Sequence, residues 1–353
     1  MFHSFFKSKK WALWAYGGSA TILLMIYAQV QLSVLFNEWY GDFYNLLQQS
    51  DSYTDNPEEG LTLFLNKLIS LDYMSSFEGI PSFTIIVFPM IFLGAFLNWF
   101  ARIFILRWRE AMTFGYLPRW QAVTEEIEGA SQRIQEDCFR FARILELLGI
   151  RTMHAFLTLI AFIPLLWSLS EKVDIPYLKD VEGSLVWVAL AVSIGGLIIS
   201  WFVGYKLPGL EYNNQKIEAA FRKELVLAED NKIDFAQTET VVELFLGIRF
   251  NYHRLYLHYS YFDLWASLYG QVMIIVPYLM IGPSLFSGLI PLGIMIQVSN
   301  AFGKVHNGFS VFIDNWTVIT ELRSIRLRLT EFEANLKKHE IAQSGPPSIV
   351  TTD

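Results

Sequence analysis

Five glutamates lie at spacings that would place them on common faces of two helices. Glu218 is seven residues beyond Glu211 and Glu229 is eighteen beyond it, which correspond to rotations of about −20° and about 0° on a helix. Glu128 and Glu146 are also eighteen residues apart. Eighteen residues of helix span about 27 Å, close to a bilayer thickness. Such a row of carboxylates could carry protons, because burial and like-charge crowding raise the pKa of a glutamate toward neutrality.

The same spacing also fits an ordinary solvated helix face. Glutamates on helices outside the membrane usually face water, and many pair with Lys or Arg three or four residues away. Glu136 lies about 80° from the face that Glu128 and Glu146 share, and it could pair with Arg133 or Arg140. Spacing alone leaves both interpretations open and favours the solvated face.

Polar side chains interrupt the last apolar stretch of the chain. Asn300, Lys304 and Asn307 lie there, where polar groups are costly unless they face protein or water. Tyr256 and Tyr259 belong to a tyrosine-rich segment that precedes this stretch. These five residues are candidates for the lining of a substrate cavity, although tyrosines also suit an amphipathic helix at the membrane interface.

The residue inventory argues against catalysis and metal binding. Cys138 is the only cysteine, which excludes a disulfide framework and a cysteine-based metal site. His253 and His258 are five residues apart, whereas a helical metal pair prefers four. The net charge of −7 argues against nucleic acid as a partner. We therefore expect no catalytic residues, no metal and no cofactor, and the chain is not expected to be an enzyme.

The elements that must position these residues are membrane helices. Hydrophobic residues make up 53% of the 353-residue chain and charged residues only 17%, against about 45–50% and about 25% in soluble domains. The excess lies in charge-free tracts, each long enough to cross a bilayer with about 20 apolar residues. The sequence predicts an all-α membrane protein with six spans, at about 11–37, 79–101, 152–170, 183–205, 264–282 and 288–310.

Lys and Arg alternate between the segments that connect these spans. Residues 102–151 carry eight arginines and residues 206–263 carry seven basic residues, whereas the loop 38–78 carries only Lys67. The positive-inside rule therefore predicts a multi-pass protein with both termini in the cytoplasm. Segments 102–151 and 206–263 are predicted to be cytoplasmic helical hairpins, and 317–340 a cytoplasmic helix. Residues 1–340 would form one transmembrane domain, followed by a disordered tail at 341–353.

Six spans with long cytoplasmic extensions after the second and the fourth are the layout of the membrane half of an ABC exporter. The Walker A pattern does not occur in the sequence, and about 40 residues after the last span are too few for a nucleotide-binding domain. The chain is therefore expected to contain no such domain and not to hydrolyse ATP by that route.

Two motifs resemble the SbmA/BacA family of bacterial inner-membrane peptide transporters: IEGASQRIQEDCFRFA, and downstream LPGLEYNNQKIEAAFRKELVLAED. The resemblance extends from about Trp39 to Leu336 and includes the flanking stretches FILRWREAMTFGYLPRW, YHRLYLHYSYF and NWTVITELRSIRLRL. The QRIQED core is similar to the membrane halves of fatty-acid-type ABC transporters. Known family members carry additional N-terminal spanning sequence, which this chain is expected to lack.

The resemblance implies an ABC-exporter-like transmembrane fold in a domain-swapped homodimer without nucleotide-binding domains. It implies import of peptides, including antimicrobial peptides and peptide antibiotics, driven by the proton gradient. Some members are also linked to cobalamin-like cargo and to very-long-chain fatty-acid lipids. The glutamates that match the family's proton-coupling positions are Glu128, Glu136, Glu146, Glu211, Glu218 and Glu229. This agreement moves the interpretation of the glutamate rows from solvated faces to proton coupling.

The sequence leads to three functional hypotheses. The first is a proton-coupled secondary transporter that imports peptides as a homodimer in the lipid bilayer. The second is the membrane subunit of an ABC transporter that is powered by a separate ATPase chain and carries peptide, fatty-acyl or cobalamin-like cargo. The third is a membrane scaffold that affects envelope lipids without transport, which would tolerate Glu→Gln changes throughout the rows.

Overall fold

A computed structural model describes residues 1–71, 79–123, 127, 129–175, 178, 180–230, 234–235 and 237–343. Within these ranges the chain is helical and contains no strand. The helices are α1 Phe2–Phe6, α2 Leu13–Gln48, α3 Pro57–Ile69, α4 Phe83–Gln121, α5 Ala130–Ser170, α6 Ser184–Gly204, α7 Leu207–Asp230, α8 Thr238–Phe286, α9 Leu292–Asp314 and α10 Trp316–Gln343. The all-α prediction is therefore confirmed for the part of the chain that the structure describes.

Five helical rods are long and apolar enough to cross a membrane. They are α2 (36 residues), α4 (39), α5 (41), the nearly continuous rod Ser184–Glu229 of α6 and α7 (46), and α8 (49). At about 1.5 Å per residue each is much longer than the roughly 30 Å hydrocarbon layer. Each rod therefore combines an apolar segment that can span the bilayer with a part that extends beyond it, and the chain is a multi-pass membrane protein.

The sixth predicted span, 288–310, corresponds to α9, which differs from the other five. This helix of 23 residues carries Gln297, Asn300, Lys304 and Asn307, and it falls outside the five apolar rods found among the described residues. It packs against α2, α5, α6 and α8. Because four helices surround it, its polar side chains can face protein instead of lipid.

The crossing of α2 and α9 is unusually close. A Cβ atom at Gly293 would overlap the backbone oxygen of Gly41, so this contact requires glycine. Two side chains of α2 also accept hydrogen bonds from the N-terminus of α9: Asn45 Oδ1 from the Gly293 N–H at 2.8 Å, and Gln48 Oε1 from the Leu292 N–H at 2.7 Å. They satisfy amide groups that have no partner within the helix itself.

Two pairs of helices include the segments for which the sequence predicts hairpins. The helices α4 and α5 pack against each other, as do α7 and α8. Beside α4 and α5 lie α1 and α10, and their shared core includes Phe5, Trp108, Phe141 and Leu329. In this core the Tyr116 hydroxyl donates a hydrogen bond of 2.6 Å to Glu333 of α10.

The end of α10 differs from the prediction. We expected the helix to end at residue 340 and a disordered tail to begin at 341, but α10 continues to Gln343. Residues 341–343 are Ile, Ala and Gln, which do not break a helix. The strong breakers, Gly345 and two prolines, follow later. The rest of the predicted tail, 344–353, lies outside the described residues.

Candidate functional site

A cavity of about 840 Å³ lies where the junction of α6 and α7 meets α5, α8, α9 and α10. Its charged lining residues are Glu211, Asp263, Asp314, Glu321, Arg140 and Arg328, and Tyr259 also lines it. Since four of the charged residues are acids and two are arginines, the charged part of the wall is predominantly acidic. Of the proton-coupling and substrate-cavity candidates predicted from the sequence, Glu211 and Tyr259 line this cavity.

The break between α6 and α7 places Glu211 at the cavity. The helix α6 ends at Gly204, and after two intervening residues α7 begins with Leu207 and Pro208. Proline is favoured in the first turn of a helix, where its missing N–H leaves no bond unmade. Tyr259 and Asp263 are four residues apart on α8, so both face the same side. Burial and the negative charges of Glu211 and Asp263 raise the pKa of the Tyr259 hydroxyl, so both acids are near enough to act on one phenol.

Both arginines of the cavity wall are already occupied by ion pairs. Arg140 contacts Glu136 at 2.9 Å and Glu321 at 3.5 Å, and Arg328 binds Asp137. Within the described part of the chain, neither Glu211 nor Asp263 has a Lys or Arg partner within 4.0 Å. The cavity therefore retains uncompensated negative charge, which favours cationic ligands and protons.

Asp137 anchors α10 to α5 beneath the cavity. Its side chain is 1% exposed and accepts hydrogen bonds from Arg133 Nη1 at 2.8 Å, Arg328 Nη2 at 2.8 Å and Arg328 Nε at 3.1 Å. Asp137 lies 15 residues, about 22 Å of helix, before the predicted membrane segment 152–170. Burial raises the pKa of this carboxyl, but the hydrogen bonds and charges of Arg328 and Arg133 outweigh burial and hold the pKa below its ordinary value.

Asp137 was missed in the sequence analysis. Its separation of four residues from Arg133 is a helical ion-pair spacing that could have indicated it. The stronger partner, Arg328, is 191 residues away along the chain, and no local pattern predicts that contact. Because Arg328 also lines the cavity, Asp137 supports the cavity wall without facing the cavity itself.

The two predicted glutamate positions on α5 occupy different environments. Glu136 pairs with Arg140, which was one of the two partners expected for it, while Arg133 pairs with Asp137 instead. Glu146 is half-buried, six residues before the predicted membrane segment at 152. Burial raises the pKa of Glu146 above its ordinary value, although the positive charges of Arg102 and Arg143 oppose this.

The remaining predicted glutamates are spread along the chain. Glu128 lies outside the described residues. Because α7 is continuous from Leu207 to Asp230, Glu211, Glu218 and Glu229 do share one helix, but only Glu211 reaches the cavity. Glu218 is half-buried and Glu229 is exposed, about 10 Å and about 27 Å farther along the helix axis.

The predicted cavity residues on α8 and α9 do not form one group. Tyr259 lines the cavity, whereas Tyr256 does not and is 59% exposed. On α9, Asn300 and Lys304 are half-buried and Asn307 is exposed, and none of the three lines the cavity. The contribution of α9 is Asp314, at its last residue, which accepts a hydrogen bond from Ser310 at 3.0 Å.

Comparison with known proteins connects this architecture to transporters. A family model described as SbmA/BacA-like matches residues 8–337. Over 92% of this chain and 57% of the relative, the sequence is 26% identical to the inner membrane ABC transporter ATP-binding protein YddA of Escherichia coli. It is 25% identical to the chloroplastic ABC transporter D family member 2 of Arabidopsis thaliana, over 89% of this chain and 42% of the relative. The chain thus spans about half the length of these relatives.

Proposed function

The chain belongs to the SbmA/BacA-like family and is a multi-pass transporter membrane domain related to ABC transporters. We therefore propose that it imports peptides across the bacterial inner membrane, driven by the proton gradient. Its cargo would be cationic peptides, such as antimicrobial peptides and peptide antibiotics.

The observation that supports this proposal is the acidic cavity that contains Glu211. Glu211 and Asp263 have no cationic partner among the residues that the structure describes, so a peptide with Lys or Arg side chains would supply the missing positive charge. A proton would supply it equally well. Because the wall carries several carboxylates, cargo and protons can neutralise it together, and such joint binding is what couples a driving ion to a conformational change.

The energy available from protons is sufficient for accumulation. A membrane potential of about 100 mV supplies about 2.3 kcal/mol for each charge that crosses. This corresponds to a concentration ratio of roughly 50 for cargo moved with one proton, since about 1.4 kcal/mol is a factor of ten. In the proposed cycle, protonation of the cavity acids removes their mutual repulsion, and release of the protons inside the cell restores it.

The proposal includes a topology for the transporter. The helix α9 would be the sixth membrane crossing, with its polar residues shielded by α2, α5, α6 and α8. Both termini would be cytoplasmic, as the distribution of Lys and Arg predicts. Two copies of the chain would enclose the transport pathway as a homodimer.

Uptake into proteoliposomes tests the proposal directly. The purified protein is reconstituted, a pH gradient is the only energy source, and accumulation of a labelled cationic peptide is measured with and without a protonophore. We expect accumulation that the protonophore abolishes. Glu211→Gln should reduce it, while the exposed Glu239→Gln serves as the matched control and should not. Equal gradient-driven uptake by the Glu211→Gln variant and the wild type would contradict the assignment of the cavity.

A second candidate is the membrane subunit of an ABC transporter driven by ATP. The names of the relatives favour it, because YddA and its homologues are described as ABC transporters or ATP-binding proteins and the chain matches only about half of their length. The discriminating arm of the experiment adds ATP and a cell extract to the proteoliposomes. Transport that requires ATP, ignores the pH gradient and copurifies with a nucleotide-binding protein would replace the first proposal with this one.

A further inference from the structure

A second group of polar side chains lies inside the helical bundle, outside the acidic cavity. His306 of α9 contacts α6 and α8 there. Its Nδ1 atom is 3.4 Å from the Tyr269 hydroxyl and 3.5 Å from Ser193 Oγ, and its ring meets the Tyr269 ring edge-on at 5.2 Å. An ionisable side chain within a membrane bundle is costly to retain, so its presence calls for a functional explanation.

The surroundings hold Tyr269 firmly in place. A Cβ atom at Gly196 would overlap the Tyr269 ring, so the ring lies directly against the α6 backbone at this glycine. Trp265 stacks on the Tyr269 ring, with ring centroids 5.6 Å apart, and is itself fixed by a 2.8 Å hydrogen bond to Ser200. The Tyr269 hydroxyl therefore has one defined position beside His306.

The hydrogen bonds of Tyr269 assign the tautomer of His306. The Tyr269 hydroxyl donates its only proton to the Val192 carbonyl at 3.1 Å, because a carbonyl can only accept. Its oxygen is then left to accept a hydrogen bond from His306, which places the neutral ring's proton on Nδ1. Nε2 is thus the basic nitrogen, and it has no hydrogen-bond partner in the described part of the chain.

We propose that His306 is a proton-binding site of the transport cycle, distinct from the cavity glutamates, in which Nε2 takes up the proton. This inference rests on the proposed proton coupling. One N–H bond forms at Nε2, the proton comes from water or from a protonated cavity carboxylate, and no other bond changes. The imidazolium would then donate more strongly from Nδ1 to Tyr269 and Ser193, and these two long contacts would shorten. Protonation would in this way draw α9 toward α6 and α8.

The charged neighbours are compatible with such a role. The described span of α6, Ser184–Gly204, contains no charged residue. On α9 itself, the charge of Asp314 reaches His306 from eight residues away, about 12 Å of helix. Asp314 also lines the acidic cavity, as does Asp263 of α8, so the histidine lies within reach of the cavity's field. Lys304 lies two residues before His306 on α9, and its charge acts on His154 of α5.

Nitrogen-15 NMR of the histidine side chains in nanodiscs tests the site without any transport. The chain has six histidines, and the signal lost in His306→Gln identifies His306. We expect the Nδ1–H tautomer at high pH and protonation of Nε2 as the pH is lowered across the range of the uptake assay. Tyr269→Phe, which removes the acceptor, should shift the midpoint of this titration. The opposite tautomer, or no protonation within the pH range of the uptake assay, would overturn the proposal.

Uptake driven by a pH gradient tests the functional consequence. We expect His306→Gln to lower it by roughly tenfold or more, within the usual range of coupling between two ligands, while peptide binding stays within about twofold of wild type. The exposed His253→Gln is the matched control. If the wild type shows no gradient-driven uptake, proton coupling itself fails, and the NMR titration still decides whether His306 binds a proton. If the wild type responds and His306→Gln responds equally, only the role of His306 in coupling is wrong.

Discussion

Replacement of Asp137 by Asn should weaken the attachment of α10 to α5. The substitution keeps the size of the side chain but removes the negative charge of the carboxylate. This carboxylate accepts three hydrogen bonds from Arg133 and Arg328. Both guanidinium groups would then lie beside a neutral amide. Since Asp137 is 1% exposed, water cannot replace the lost carboxylate at that position.

The expected cost lies between two known limits. Breaking a fully buried ion pair costs about 3–5 kcal/mol, and an exposed pair contributes about 0–1 kcal/mol. The partner arginines are 24% and 33% exposed, so water recovers part of their solvation. We expect a loss of about 2–3 kcal/mol. If the chain unfolds as one unit, the unfolding entropy of about 0.7 kcal/mol per kelvin gives a decrease in Tm of about 3–4 °C.

Thermal unfolding in detergent, followed by tryptophan fluorescence, measures this decrease. The exposed Asp180→Asn is a matched control and should leave Tm unchanged. The pH dependence provides a second check. The folded-state pKa of Asp137 is lowered, so its stabilisation is present above the unfolded pKa of about 3.9 and is lost as the pH falls through the folded pKa. The difference between wild type and variant should therefore be constant near neutral pH and shrink below about pH 4.

A double-mutant cycle with Arg328→Gln separates the ion pair from general damage. Residues that contact each other should show a coupling of about 0.5–3 kcal/mol, because the second substitution removes a charge that the first has already left unpaired. Additive effects of the two substitutions, or a Tm difference that persists unchanged at pH 3, would refute the account of this network.

Three further changes have expected outcomes. Glu146→Gln should raise the free energy of unfolding at pH 8 by no more than about 0.5 kcal/mol after solvent screening, seen as a slightly higher Tm, and should be neutral below about pH 4. Because the folded-state pKa of Glu146 is raised, the stabilisation that its protonated form contributes is lost as the pH rises through that pKa, whereas Gln does not titrate. Gly293→Ala should abolish the folded protein, measured as monodisperse yield in detergent, because its Cβ would overlap the Gly41 backbone; normal yield would mean that α2 and α9 can separate. Asn45→Ala should cost about 1 kcal/mol of unfolding free energy by Tm, since it removes the cap on the Gly293 N–H, and no loss would show that water replaces the cap.

Much of the helical architecture followed from charge-free tracts, because a membrane span needs a minimum apolar length that can be counted in the sequence. Helical periodicity also placed Glu211, Glu218 and Glu229 on one helix and offered Arg140 as a partner of Glu136. These properties depend on residues within a few turns of each other. They could be predicted because the helix geometry is the same wherever the helix packs.

Properties that depend on packing between distant segments could not be predicted. Tyr256 and Tyr259 are three residues apart in a segment with tyrosines on every side, so the pattern did not reveal that only Tyr259 faces the cavity. One side of the cavity is lined by Arg328, which is held to α5 by Asp137 from 191 residues away. In the same way, Tyr269 and His306 meet only after α8 and α9 have packed together.

The polarity of α9 has a consequence for how the protein is made. As the proposed sixth crossing, a segment with Gln297, Asn300, Lys304 and His306 would gain too little from partitioning into lipid to leave the translocon unaided, since a central Lys alone costs about 2.5–3.5 kcal/mol on the insertion scale. Ribosomal synthesis delivers α2, α5, α6 and α8, its packing partners, before α9 emerges. The helix α9 would then insert late, into a groove that the earlier helices have already formed. Correct assembly would therefore depend on the order in which the helices are synthesised.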